Sequence, residues 1–79
     1  MNTAIELDTT GLDQTISFLR IKKMLQKLYP GQLLRVVATD PKSMNELTRY
    51  CDQTGDKLLE SRLEGKKFFY TIKRKPQRQ

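Results

Sequence analysis

Two apolar periodicities take turns along this chain, and their order leaves few folds open. Ile5 and Leu7 alternate with Ala4, Glu6 and Asp8, the period-two pattern of a first strand, and Thr9-Thr10-Gly11 supplies the turn after it. The spacing then lengthens. Phe18, Ile21, Leu25 and Leu28 recur at steps of three and four, with Met24 beside them, as on one face of a helix. Asp13 or Thr15 is placed to cap that helix, and Pro30-Gly31 to stop it. The stretch from Leu33 to Thr39, rich in β-branched and apolar residues, predicts a second strand, and Asp40-Pro41 a turn. Ser43-Met44-Asn45-Glu46 has the S-x-x-E form of a capping box opening a second helix. Met44, Leu47, Tyr50, Cys51 and Thr54 line one face of it, and Gly55 sits where helices end in a left-handed residue. Two further strands, Lys57 to Leu63 and Lys67 to Lys73, flank Glu64-Gly65, which is compatible with a tight hairpin.

The order βαβαββ predicts an α+β two-layer sandwich, a four-stranded mixed sheet with two helices on one face. Ile5, Leu7, Leu34, Val36, Leu59, Phe68, Tyr70 and Ile72 are expected to face the helices. Leu33, Val37 and Phe69 then fall on the open face as a modest apolar patch. Residues 1–73 are expected to form one domain and residues 74–79 a basic disordered tail. A chain of 79 residues buries only roughly 60% of its unfolded surface, which suffices for two layers but not for a deep walled cavity.

Residue usage removes whole classes of chemistry. One cysteine, Cys51, excludes an internal disulfide and any Cys-x-x-Cys pair, and the absence of histidine removes the commonest general base and metal ligand. No cofactor and no metal site is expected. No apolar run approaches the roughly 18 residues of a membrane span. The start of the chain has neither a basic region nor an apolar signal core, so the cytoplasm is the expected compartment. Residues 1–65 carry nine basic and nine acidic side chains, so the net charge of +6 comes wholly from Lys66, Lys67, Lys73, Arg74, Lys75 and Arg78. Attraction to polyanions belongs to that end of the chain.

The segment Leu7-Asp8-Thr9-Thr10-Gly11-Leu12-Asp13-Gln14-Thr15-Ile16-Ser17 resembles the opening of the TusA/SirA family of small sulfur-carrier proteins. In that family Leu-Asp, two variable residues and Gly-Leu lead to Cys-Pro-x-Pro at the start of the first helix. The likeness continues through Arg20, Lys22-Lys23, Pro30-Gly31, Asp40-Pro41, Cys51 with Gly55, and the closing aromatic-Ile-Lys strand. It implies a two-layer βαβαββ sandwich, the fold that the periodicities predict on their own. It also implies docking to cysteine desulfurases and tRNA-thiolating enzymes. The departure is local: Gln14 stands at the cysteine position and Thr15 and Ser17 at the two prolines. A family cysteine there is activated because the amides and dipole of a helix start favour thiolate, and an amide side chain has no such chemistry. No catalytic residue is therefore assigned.

Three functional readings follow. The first is a non-catalytic protein-binding module linked to sulfur relay or its regulation. Its partner would be a cysteine desulfurase or another relay protein, contacted by Gly11, Leu12, Asp13, Gln14, Thr15, Arg20, Lys23 and Lys27. The second is a sulfur carrier using Cys51, although a thiol on an apolar helix face is ordinarily a small buried hydrophobe. The third is a small basic RNA-binding domain contacting phosphates through Lys66, Lys67, Lys73, Arg74, Lys75 and Arg78. Asp8 and Asp13 flank the turn before the first helix, where a turn residue and a helix cap are expected rather than a metal or acid–base pair.

Overall fold

The computed structural model describes residues 4–75. Strand β1 (Ile5–Thr9) leads to helix α1 (Gln14–Lys27), strand β2 (Leu33–Ala38), helix α2 (Ser43–Thr54) and the hairpin β3 (Lys57–Glu64) and β4 (Lys67–Lys73). The strands order β1-β2-β4-β3 in one sheet. β1 lies parallel to β2, joined by the α1 crossover, and the β2–β4 and β4–β3 pairs are antiparallel. This is the expected mixed sheet, with the hairpin's second strand inserted beside β2.

The core lies where the inner strands meet the helices. Leu34, Val36 and Ala38 of β2 and Tyr70 and Ile72 of β4 are buried against Ile21 and Leu25 of α1 and Leu47 and Cys51 of α2. Ile5, Leu7, Phe18 and Phe68 close its margins as partly buried residues. Phe18 meets Tyr50 edge-on at 5.5 Å between ring centres, which joins the two helices. Leu28 and the Pro30-Gly31 pair end α1, and Gly55 ends α2 with φ of +89°.

Three local expectations are corrected. Leu59 does not join the core: it is 54% exposed, and Leu58 packs there instead. The register explains this, because Leu58 opposes Ile72 and Glu60 opposes Thr71, leaving Leu59 as the extra residue of a β-bulge. The capping box does not form. Ser43 is the first helical residue, its hydroxyl is shared with the Tyr70 hydroxyl, and Asp40 instead accepts from the Lys42 amide through its carboxylate and from the Ser43 amide through its carbonyl. The hairpin turn is Gly65-Lys66 rather than Glu64-Gly65, with Glu64 paired to Lys67 and Gly65 at φ of +61°. Positive φ at the first turn residue alone is the type II′ pattern.

The open face of the sheet carries Leu33, Val37 and Phe69, all partly buried. The Arg62 guanidinium lies 4.9 Å from the Phe69 ring centre, so a cation covers the aromatic part of this face. Beyond β4 the chain remains tied down. The Arg74 amide donates to the Gln32 carbonyl and the Gly31 amide to the Arg74 carbonyl, 2.9 Å each. Asp56, 3% exposed, accepts the Lys75 amide at 2.8 Å, and Arg74 Nη1 lies 3.5 Å from its other oxygen. Arg74 and Lys75, expected in the tail, are thus strapped to the end of α2. Residues 76–79 lie outside the described residues. No helix among the described residues is long and apolar enough to cross a membrane.

Candidate functional site

The turn from β1 into α1 is braced by local bonds and by the neighbouring strand. The Asp8 carboxylate accepts from the Thr10 amide at 2.9 Å and the Thr10 hydroxyl at 2.7 Å, closing an Asx turn. The backbone bond first, and the hydroxyl bond after it, hold this carboxyl below its ordinary pKa by favouring the charged form. The Gly11 amide donates to Thr39 Oγ1 at 2.9 Å, which fixes the turn to the end of β2. Gly11 has φ of +79°, a conformation that side chains disfavour. The Leu12 amide then returns to the Thr9 carbonyl at 3.2 Å.

Of the two capping candidates, Asp13 is the cap. Its carboxylate accepts the Ile16 amide at 3.0 Å and its carbonyl accepts the Ser17 amide at 2.9 Å, while Thr15 is an exposed first-turn residue. Gln14 opens the helix, half-buried, and lines a shallow cleft with Ser17, Phe18, Ser43, Glu46 and Leu47 between the starts of α1 and α2. Beneath it runs a buried chain of hydroxyls. Ser17 Oγ donates to Thr9 Oγ1, which donates to the Val37 carbonyl, 2.9 Å each. Helix α1 is therefore tied at Ser17 to β1 and, through Thr9, to β2.

This arrangement presents amides and an oriented helix start, and the residue that opens the helix, Gln14, carries a carboxamide. The lone thiol is elsewhere. Cys51 lies eight residues along α2 from Ser43, about 12 Å at helical rise. It is 4% exposed, and burial first, then the Asp56 and Asp52 carboxylates, push its thiol up to about 11. Desolvation and nearby negative charge both disfavour the nucleophilic thiolate there. Among the described residues no group of three or more His, Cys, Asp or Glu side chains is placed to hold a metal.

Arg20, Lys23 and Lys27 are all exposed along α1. They continue from Ile16, 44% exposed, with Leu19 beside them at 47%. Two bare apolar side chains thus precede the cationic stripe. Both were legible as the apolar α1 residues left over once Phe18, Ile21, Leu25 and Leu28 are assigned to the core. The basic residues near the end of the chain are not gathered into one cluster. Lys66 and Lys67 stand at the hairpin tip, whereas Lys73 is six residues down β4, roughly 20 Å away at strand rise. Arg74 is paired with Asp56, and Arg78 lies outside the described residues.

Comparison with known proteins agrees with this architecture. A family model described as Sulfurtransferase TusA matches residues 5–74. A sulfur carrier protein TusA of Allochromatium vinosum is 45% identical over 69 residues, which cover 87% of this chain and 91% of that protein. Proteins of the same name from Pseudomonas aeruginosa and Pseudomonas putida are 33% and 32% identical over 69 residues, covering 87% and 86% of their lengths and 87% of this chain. With the fold, the braced turn and the matched span in agreement, the chain belongs to the TusA family of sulfur carriers.

Proposed function

We propose that this chain works in a sulfur relay as a docking module that binds a relay protein without loading sulfur itself. The observation that carries the reading is Gln14. It stands at the start of a helix whose turn and cap are held by hydrogen bonds, so an ordered surface surrounds a position with no nucleophile. Docking affinity comes from packed, complementary surface rather than from a reacting atom. The contact surface is the turn Gly11, Leu12, Asp13, Gln14 and Thr15, then Ile16, Leu19, Arg20, Lys23 and Lys27 along α1. Exposed leucine and isoleucine beside three cations fit a partner with an apolar recess rimmed by acidic side chains. The family resemblance makes a cysteine desulfurase the first partner to test.

The competing reading is a carrier that uses Cys51. The names of the relatives favour it, and the burial and raised pKa of that thiol oppose it. An RNA-binding role has less support, because the basic residues are divided between two ends of the sheet.

Purified chain is incubated with a cysteine desulfurase and cysteine, beside the Allochromatium carrier as control, and intact masses are measured. The expected result is sulfur on the control and none on this chain, together with slower loading of the control as this chain is added. Leu19→Asp or Arg20→Glu relieves that competition. Sulfur found on Cys51 establishes the carrier reading, and absence of any competition removes the docking one.

A further inference from the structure

Strand β3 forms one edge of the sheet, so one side of its backbone has no strand partner among the described residues. The two most exposed leucines both lie on it: Leu59 at 54% and Leu63 at 58%. Leu63 opposes Phe68 on the helix-facing side, and the bulge leaves Leu59 beside Leu58 on that same side, beyond the reach of the helices. Glu60 and Arg62 point to the open face, where they oppose Thr71 and Phe69. Edge strands are commonly protected by charge and by bulges. Here the bulge ends at Glu60 and the charges from there alternate in sign. Arg62 pairs with Glu60 at 3.2 Å and Glu64 at 2.9 Å within the strand, and the same alternation lets these exposed charges also meet those of a second, antiparallel copy.

We propose that a second copy of this chain pairs with this edge, β3 antiparallel to β3 about a two-fold axis through Ser61, giving one continuous eight-stranded sheet. In antiparallel pairing, opposed residues share a face, so a two-fold axis normal to the sheet must pass through a residue position. An axis through Glu60 or Arg62 sets identical charges against each other. An axis through Leu63 runs the ladder into the Gly65-Lys66 turn and leaves Leu59 bare. Ser61 as the centre places Leu59 opposite Leu63 of the second copy on the helix side and Glu60 opposite its Arg62 on the open side. Each match occurs twice by symmetry. Small Ser61 residues meet at the axis, and the edge amides and carbonyls gain partners.

The test is sedimentation of the full chain from micromolar to millimolar concentration, for the native protein and for Glu60→Arg and Arg62→Glu. The native chain is expected to dimerise. Each reversal alone sets like charges against each other twice and raises the dimer dissociation constant at least about tenfold. An equimolar mixture of the two variants recovers a heterodimer, and so does the E60R/R62E double variant with itself. An axis through Leu63 predicts no such recovery, because reversed charges would then face Glu64 and Lys66. Both residues are exposed, so thermal unfolding of the variants checks that folding is intact. Ser61→Cys provides an independent readout, with a 61–61 disulfide dimer expected on mild oxidation while Cys51 stays unlinked. A native chain that is monomeric throughout, a dimer indifferent to both reversals, or variants that fail to recover on mixing overturns the proposal.

Discussion

A carboxamide at position 14 changes what the first turn of α1 does without changing how it is built. The cap at Asp13, the braced glycine at position 11 and the hydroxyls of Thr9 and Ser17 involve no atom of the Gln14 side chain. Gln14→Cys therefore places a thiol at a helix start, where free amides and the helix dipole favour the anion. At pH 7 a thiol titrating at about 11 is ionised to roughly one part in ten thousand. Iodoacetamide followed by peptide mass analysis is expected to label the thiol introduced in that variant at least about a hundredfold faster than Cys51. The hydroxyl chain gives a second outcome. Thr9→Val removes both the donor to Val37 and the acceptor for Ser17, costing about 2 kcal/mol, and Ser17→Ala costs about 1 kcal/mol. Urea unfolding of the double variant is expected to show less than the sum, by about 1 kcal/mol, because the partners are lost together. The Asp13 cap was legible in the sequence because it is set by neighbours within a few positions. The Thr9–Ser17–Val37 chain was not, since its third member comes from a strand 28 residues away.

Every helix and strand among the described residues was legible from periodicity, residue type and turn signals, and the errors fall where two neighbouring residues compete for one role. Leu58 and Leu59 satisfy alternation equally well, and only pairing with β4 decides that Leu58 is covered and Leu59 is the bulge. Ser43 has the residue type of a cap, but the Tyr70 hydroxyl reaches it across the core and Asp40 takes over the local amides. The strap from β4 to the end of α2 was hidden for the same reason. Arg74 and Lys75 read as tail charges until Asp56, buried and remote in sequence, is seen to accept one and pair with the other. Asp56→Asn keeps an acceptor for the Lys75 amide and is expected to cost about 1 kcal/mol. Asp56→Ala leaves that amide and Arg74 without a partner and is expected to cost roughly 3 kcal/mol. Equal losses in chemical denaturation would refute the assigned role of the carboxylate.

For the molecule as a whole, the buried thiol ties stability to pH. In the unfolded chain a cysteine ionises near about 8.5, whereas Cys51 in the fold does so only at about 11. The folded state thus holds a proton that the unfolded state has released. This contribution is complete below about pH 8.5 and disappears as the pH rises toward 11. Tyr50 and Tyr70, both raised by burial, act in the same direction at higher pH. Between pH 7 and pH 10 the native chain is expected to lose about 2 kcal/mol more than Cys51→Ala, read from paired urea titrations. The strap past α2 also determines where the molecule is best held. The Lys75 side chain passes beside Gly55, at the opposite end of α2 from the cleft that Gln14 lines. That separation is about 17 Å, the length of the helix. A sensor chip, bead or fluorescent label joined at Lys75 would therefore leave the α1 turn facing the bulk solution, while the same attachment at Thr15 would block it.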